Sequence, residues 1–148
     1  MTPPSPEQLQ QLQRLVAAMP MARTLGLAFT KVEPGRVELE VPVADAFTFR
    51  PGQLQATAVF AAADFAAVAA AGTLLPPGWT NATVDTTLKL LAPARGKLLR
   101  ARGRALAAGR LLTTCAADVY AVGEDGAETL CATMLATARN MGPAKTLS

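Results

Sequence analysis

The 148 residues include no histidine, and this absence restricts the chemistry that the other side chains can do. It removes a Ser-His-Asp or Cys-His triad, a histidine general base and almost every zinc site. Acid–base chemistry must therefore come from Asp, Glu, Lys, Tyr or Cys, and we expect no metal site.

One carboxylate, Asp64, lies in the middle of the apolar segment 53–73, which reads QLQATAVFAAADFAAVAAAGT. A buried carboxyl group is costly to ionise unless donors surround it, so its pKa rises or it is hydrogen-bonded. Such a group can act as a general base or as a nucleophile. A second interpretation stays open, in which Asp64 is simply hydrogen-bonded to a core hydroxyl such as Thr83 or to backbone.

The start of the same segment offers hydrogen-bond donors. The first N–H groups of a helix have no partner within the helix, and the positive end of the helix dipole can hold a developing oxyanion. Gln55 adds a side-chain NH2 group as a further donor. The alternative is that Gln55 is an ordinary polar residue near a helix N-terminus.

The segment that carries Asp64 is predicted to be a buried helix rather than a membrane span. It is rich in alanine, has no proline and no internal glycine before Gly72, and is apolar on nearly all sides. Residues 56–75 are long enough to cross a bilayer, but Asp64 near the centre would cost roughly 2.5–3.5 kcal/mol on insertion. The flanks lack an aromatic belt and a basic cluster, so we interpret the helix as the core of a globular domain.

The remaining pattern predicts one short helical segment and six strands. An N-terminal helix has Ser5 as N-cap and Pro6 in its first turn, and it ends at Pro20, with one more short turn over 21–25. Residues 44–52 are predicted to be a loop. Alternating apolar and polar residues predict strands over 27–33, 36–43, 80–91, 97–108, 111–122 and 128–140.

The economical packing is an α+β domain in which a six-stranded antiparallel sheet wraps the long alanine-rich helix, with an extra N-terminal helix. Accordingly, we assign residues 1–21 to an N-terminal helical segment, 22–141 to the main domain and 142–148 to a flexible tail. The small side chain of alanine lets the sheet approach the helix closely.

Overall composition removes further classes of protein. The formal charge of +3 is mild and no aromatic cluster accompanies the basic residues, which argues against nucleic-acid binding. The first residues lack the basic and apolar parts of a secretory signal, so a cytoplasmic location is expected. Cys115 and Cys131 are then expected to be reduced core residues rather than a disulfide.

Segment 52–64, the helix that continues from it, and the later Thr83-Val84-Asp85 and Leu91-Ala92-Pro93-Ala94-Arg95-Gly96 together resemble the PaaI-like (phenylacetyl-CoA type) acyl-CoA thioesterases of the hotdog superfamily. Those proteins typically carry a glycine, then His-Gly-Gly, then Asp or Glu in the central helix, and a Thr- or Ser-containing strand that ends in Pro-Ala and a glycine. Gly52, Asp64, Thr83 and Pro93-Ala94 match this pattern. Gln55-Ala56-Thr57 stand in place of His-Gly-Gly, and Phe49 stands where the family often has asparagine.

The resemblance, which covers about residues 22–140, implies a hotdog fold and hydrolysis of an acyl-CoA or aryl-CoA thioester at a subunit interface. It implies that Asp64 attacks the thioester or activates a water, that the Ala56 amide and Gln55 hold the oxyanion, and that Thr83 positions the water or the carboxylate. It further implies substrate contacts by Gly52, Thr57 and Arg95. The partners would be a coenzyme A or acyl carrier protein thioester and a second copy in a homodimer or homotetramer, with no cofactor other than the coenzyme A of the substrate.

One alternative stays open beside this interpretation, and the sequence argues against a second. The departures at Phe49 and Gln55 also fit a non-catalytic hotdog protein that binds acyl thioesters or has a structural role. A hotdog dehydratase normally needs a histidine, and the chain has none.

Arg100, Arg102 and Arg104 share one strand face and could bind phosphates, but they also fit a solvated strand face that discourages edge pairing. Arg95 is therefore the candidate phosphate ligand.

Overall fold

The computed structural model describes residues 2–145. Its helices are α1 (Pro6–Ala17), α2 (Pro20–Leu25) and α3 (Ala56–Gly72), and a short 3-10 helix spans Asp45–Phe47. Its strands are β1 (Ala28–Glu33), β2 (Arg36–Pro42), β3 (Thr48–Arg50), β4 (Gln53–Leu54), β5 (Thr80–Leu90), β6 (Leu98–Ala108), β7 (Leu112–Val122) and β8 (Glu128–Met141).

Six of these strands form one antiparallel sheet in the order β1-β2-β6-β7-β8-β5, and β3 and β4 form a separate two-stranded ribbon. The long helix α3 packs against the sheet and contacts β2, β5, β6, β7 and β8. This arrangement confirms the predicted hotdog fold with its extra N-terminal helix. Strands β1 and β5 are the two edges of the sheet, and β5 is the edge nearest to the carboxylate of α3.

The small side chains of α3 allow the sheet to approach the helix backbone. Its buried residues are all alanine apart from Val59 and Gly72. On β6, Gly103 faces the helix so closely that a Cβ there would collide with the carbonyl group of Ala66. Small residues on both elements therefore set the distance between helix and sheet, as the alanine content predicted.

The N-terminal helix begins as predicted. The Ser5 hydroxyl accepts a hydrogen bond from the Gln8 N–H, and the Gln8 side chain accepts one from the Ser5 N–H, which makes a capping box. The helix α1 contributes no fully buried residue, although Leu12 reaches the surface of Gly72 in α3. The turn expected over 21–25 is the helix α2.

Two predictions near the start of α3 are wrong. Residues 44–52, predicted to be a loop, contain the 3-10 helix and β3. The central helix, predicted from residue 53, begins at Ala56, because Gln53 and Leu54 form β4 and the Leu54 N–H donates to the carbonyl of Ala94 at 3.0 Å. Contacts with a chain segment that is distant in sequence thus hold Gln53 and Leu54 in a strand rather than in the helix, and the hydrophobic periodicity does not reveal such contacts.

The arginines of β6 are paired rather than free. Arg102 donates to Glu38 at 2.8 Å and to Glu128 at 2.7 Å, and Arg100 donates to Glu128 at 2.6 Å. Arg104 donates to Asp118 at 3.1 Å. Because β6 lies between β2 and β7, the interpretation that these side chains protect a sheet edge is wrong.

Cys115 and Cys131 are buried free cysteines, and burial raises the pKa of each thiol to about 11. Residues 142–145 have no regular structure, and the rest of the predicted tail, 146–148, lies outside the described residues, as does Met1. Within residues 2–145, none of the helices has the length and apolar character needed to span a membrane. The same residues contain no group of three or more metal-ligating side chains of the kinds Cys, Asp and Glu.

Candidate active site

Asp64 lies in the third turn of α3, on the side of the helix that faces β5. The Thr83 hydroxyl of β5 donates a hydrogen bond of 2.8 Å to Asp64 Oδ1. Within residues 2–145, no donor binds the other carboxylate oxygen, Oδ2. Burial raises the pKa of Asp64 above its usual 3.8, and the hydrogen bond from Thr83 opposes that rise only in part.

The neighbours of Asp64 on α3 form the one side of this helix that the protomer leaves partly uncovered. Phe60, Asp64, Phe65 and Val68 are all half-buried, whereas most of the other residues of α3 from Ala58 onward are buried. A buried thiol, Cys115, also lies close enough for the carboxylate charge to raise its pKa further. No feature of the sequence indicated that Cys115 would be near Asp64, because the two residues meet only through the packing of β7 on α3.

The start of α3 forms a second group of predicted residues. Gln55 is the N-cap, and its side-chain oxygen accepts a hydrogen bond of 2.7 Å from the Thr57 N–H. The side-chain NH2 of Gln55 stays available, but the residue is first of all a helix cap. The Ala56 N–H, at the first position of the helix, donates to no acceptor within residues 2–145.

The turn of the β3–β4 ribbon precedes this helix start. Gly52 has a φ of 74°, a conformation that glycine adopts without strain. Phe49 is exposed, and the Arg50 guanidinium lies over its ring at 4.7 Å from the ring centroid. The sequence analysis did not identify Arg50 as a site residue. The only feature of the sequence that could have indicated it is the adjacent pair of an aromatic and a basic residue, Phe49 and Arg50.

Arg95 joins the same group. Its Nε donates to the side-chain oxygen of Gln53 at 3.2 Å, and the two residues also form an isolated antiparallel bridge. This contact holds the turn after Pro93 against the residues that lead into α3. The structure therefore brings together Gly52, Gln55, Ala56, Thr57 and Arg95 at the helix start.

The two groups of residues are well separated within one protomer. Asp64 follows Ala56 by eight residues along α3, which corresponds to about 12 Å at 1.5 Å per residue. Within one protomer the Ala56 N–H and the Asp64 carboxylate therefore cannot contact the same small group.

Solved structures with this architecture decide the family. A thioesterase-family protein from Silicibacter pomeroyi is 35% identical, with 89% of this chain and 96% of that chain covered and a TM-score of 0.85. This chain belongs to the hotdog thioesterase superfamily. No protein-family model matches the sequence, and no curated protein matches it.

Two other solved structures extend the likeness in fold. The phenylacetic acid degradation-related protein from Ralstonia eutropha is 29% identical over 86% of this chain and 98% of that chain, with a TM-score of 0.72. The PaaI protein of the phenylacetic acid degradation operon of Escherichia coli is 15% identical over 93% and 96%, with a TM-score of 0.79. The predicted membership of the PaaI-like thioesterases is confirmed.

Thioester hydrolysis needs a base or nucleophile near neutral pH and a donor for the oxyanion. Within the described residues, Asp64 is a half-buried carboxyl group on α3, and the Ala56 N–H is a donor without an acceptor at the start of the same helix. No other described residue combines an uncovered position on α3 with a carboxylate, because Asp64 is the only ionisable residue of that helix.

Proposed function

We propose that the protein hydrolyses acyl-CoA or aryl-CoA thioesters, with the Asp64 carboxylate as the general base or nucleophile. The observation that carries this proposal is a half-buried carboxyl group with a raised pKa, held by one hydrogen bond from Thr83 and with Oδ2 left free. A raised pKa makes a carboxylate a stronger base, which suits proton abstraction near neutral pH.

We propose further that the complete site forms between two copies of the chain. The separation of about 12 Å between Ala56 and Asp64 along α3 requires the N–H donor and the carboxylate to come from different protomers. The edge strand β5 supports such an assembly, since its outer hydrogen-bonding groups lack a partner strand within the described residues and Val84 and Leu90 are exposed. Pairing of two β5 strands about a twofold axis that passes between Ala56 and Asp64 would bring Asp64 of each protomer toward the helix start of the other.

In the proposed reaction a water molecule lies at Asp64 Oδ2 and gives its proton to the carboxylate as its oxygen attacks the thioester carbon. The carbonyl oxygen becomes the oxyanion and accepts the hydrogen bond from the Ala56 N–H of the other protomer. When the oxyanion collapses and the carbon–sulfur bond breaks, the thiolate takes up the proton held by Asp64 and leaves as the thiol, which regenerates the carboxylate. If Asp64 attacks directly, its carboxylate oxygen bonds to the carbonyl carbon as the carbon–sulfur bond breaks, and the thiolate takes a proton from water. A second water molecule then hydrolyses the mixed anhydride to the acyl product and the Asp64 carboxylate.

The residues at the helix start would bind the rest of the substrate. Arg95 and Arg50 place two guanidinium groups near the start of α3, where the phosphates of coenzyme A can be bound. Gly52 and Thr57, which lie on either side of the N-cap Gln55, would contact the same part of the substrate. An acyl carrier protein thioester would present the same phosphopantetheine arm and thioester.

The test is hydrolysis of a panel of acyl-CoA and phenylacetyl-CoA thioesters, measured as release of free thiol, with wild type and Asp64→Ala. We expect wild-type turnover on at least one thioester and a loss of about 10³-fold in Asp64→Ala, since the base contributes 10²–10⁴-fold. Leu111→Ala, at an exposed position far along the sequence in the β6–β7 turn, is the control for non-specific effects. Binding of thioesters without turnover of any of them would instead support a non-catalytic acyl-thioester binder.

A further inference from the structure

A groove lies between the N-terminal helix α1 and the far end of α3. It has a volume of about 380 Å3, and its apolar lining includes Leu12, Leu15, Val16, Met19, Leu75 and Trp79. No charged side chain lines it. Pockets of this size with an apolar lining are typical of small-molecule sites.

The apolar residues of α1 contribute more to the lining of this groove than to the buried core. None of the twelve residues of α1 is fully buried, and Leu15 is 61% exposed. An amphipathic helix normally buries its apolar stripe; here Leu12 and Val16 are half-buried, whereas Leu15 and Met19 remain exposed at the groove.

The floor of the groove is closely packed. Gly72 lies under the tip of Leu12, and a Cβ at that position would be only 2.8 Å from Leu12 Cδ1. Asn81 donates to the carbonyl of Val68 at 3.0 Å and ties β5 to α3 at the same point. On the other side Gly142 lies against the indole of Trp79, where a Cβ would approach the ring at 3.3 Å. These contacts give the groove fixed walls in the protomer itself.

The groove lies at the end of the helix that carries Asp64. Gly72, which lines the groove, follows Asp64 by eight residues, about 12 Å along the helix axis, and the half-buried Val68 lies between them. An extended acyl chain of medium length, attached to a carbonyl carbon at Asp64, covers such a distance. Short acyl groups end before the groove.

The geometry points to this groove as the binding site for the distal end of a medium-chain acyl group, which makes α1 the element that sets the preferred chain length. This inference rests on the proposed thioesterase function and names its substrate class. An uncharged apolar groove suits an alkyl end and gives no counter-charge to a polar or ionised one.

Trp79 provides a direct test, because it is the single tryptophan of the chain and lines the groove. Asp64→Ala protein, in which turnover is slow, is titrated with decanoyl-CoA and with acetyl-CoA while tryptophan emission is recorded. We expect decanoyl-CoA to shift the emission to shorter wavelength as the alkyl chain displaces water. Acetyl-CoA, whose binding is followed by calorimetry, is expected to leave the emission unchanged.

A matched pair of variants tests the same inference in the active protein. Leu15→Glu places a charge in the groove, and Leu111→Glu makes the same change at a position that is 64% exposed and outside it. In Leu15→Glu we expect kcat/KM for decanoyl-CoA to fall about tenfold, the effect of losing a few methylene contacts, with butyryl-CoA unchanged. Leu111→Glu should change neither substrate.

The outcomes separate this inference from the function on which it rests. Two results would overturn the chain-length role of α1 alone, provided that hydrolysis still depends on Asp64. One is a Trp79 signal that does not depend on the length of the acyl chain, and the other is an equal effect of Leu15→Glu on both substrates. Failure to bind or hydrolyse any thioester overturns both proposals.

Discussion

Replacing Ala56 by proline deletes a single N–H group from the helix start with little other change. Ala56 occupies the first position of α3, where proline is well tolerated, and the chain itself uses Pro6 and Pro20 at the equivalent positions of α1 and α2. Gln55 has a φ of −72° and a ψ of 147°, which is the extended conformation that a residue before proline prefers. The substitution therefore removes the proposed oxyanion donor and leaves the fold intact.

The expected cost follows from the role of that donor. Removing one oxyanion-hole hydrogen bond lowers kcat by about 10²–10³-fold, which is about 3–4 kcal/mol of transition-state stabilisation. The assay is steady-state hydrolysis of the best acyl-CoA substrate, with thermal unfolding as the check that Ala56→Pro is folded. Ala56→Gly keeps the N–H and is expected to lose far less activity than Ala56→Pro.

The same variant tests whether two protomers share each site. Ala56→Pro and Asp64→Ala chains are each nearly inactive, but a mixed dimer contains one site with both wild-type residues. Random pairing of equal amounts should therefore recover about one quarter of the wild-type activity, since half the dimers are mixed and each has one complete site of two. The reasoning is refuted if Ala56→Pro retains wild-type kcat, and the shared site is refuted if mixing restores nothing.

Three further predictions concern stability. Gly103→Ala should lower the free energy of unfolding by about 3 kcal/mol or more in chemical denaturation, because its Cβ would collide with the Ala66 carbonyl; a loss below 1 kcal/mol would contradict the close helix–sheet contact. Asp64→Asn should be more stable than wild type at pH 7. Because the folded-state pKa of Asp64 is raised above 3.8, the wild type is stabilised by this group at pH values below 3.8, and it loses that stability as the pH rises through the folded-state pKa; asparagine stays neutral and loses nothing. Equal pH dependence of unfolding in the two proteins would refute the burial of this carboxyl group. Glu128→Gln should cost about 1 kcal/mol at pH 7, a figure reduced for solvent screening. Hydrogen bonds from Arg102 and Arg100 hold the pKa of Glu128 at about 2. The stability difference between Glu128→Gln and wild type should therefore be fully present above pH 4.5 and vanish as the pH falls through about 2. A difference that stays constant down to pH 2 would argue against the ion pairs.

Much of the architecture was predictable from local patterns. The capping box at Ser5, the apolar segment around Asp64 and the alternation in the four later strands are all encoded by neighbouring residues. The strand boundaries agree with the structure to within about one residue, which is inside the usual uncertainty of helix and strand ends.

The start of α3 was predicted less well, because long-range contacts outweigh helix propensity there. Leu54 pairs with Ala94 and Gln53 with Arg95, residues about forty positions later in the chain. The role of Gln55 as N-cap follows from this, since the helix can begin only after the ribbon ends. The arginines of β6 likewise have partners on β2, β7 and β8 that no local pattern reveals.

By itself, the sequence determined that a buried alanine-rich helix carries a single carboxylate and that six strands must cover it, because the spacing of apolar residues defines which face of an element is buried. The sequence analysis also offered Thr83 as a hydrogen-bond partner of Asp64, but only the tertiary structure decided that the strand carrying Thr83 is an edge and that Thr83 is exposed there rather than part of the core. It also separated Asp64 from the helix start and opened the groove under α1. The physical reason is that periodicity records the exposure of each side chain but not the identity of its neighbours, which depends on contacts between distant parts of the chain.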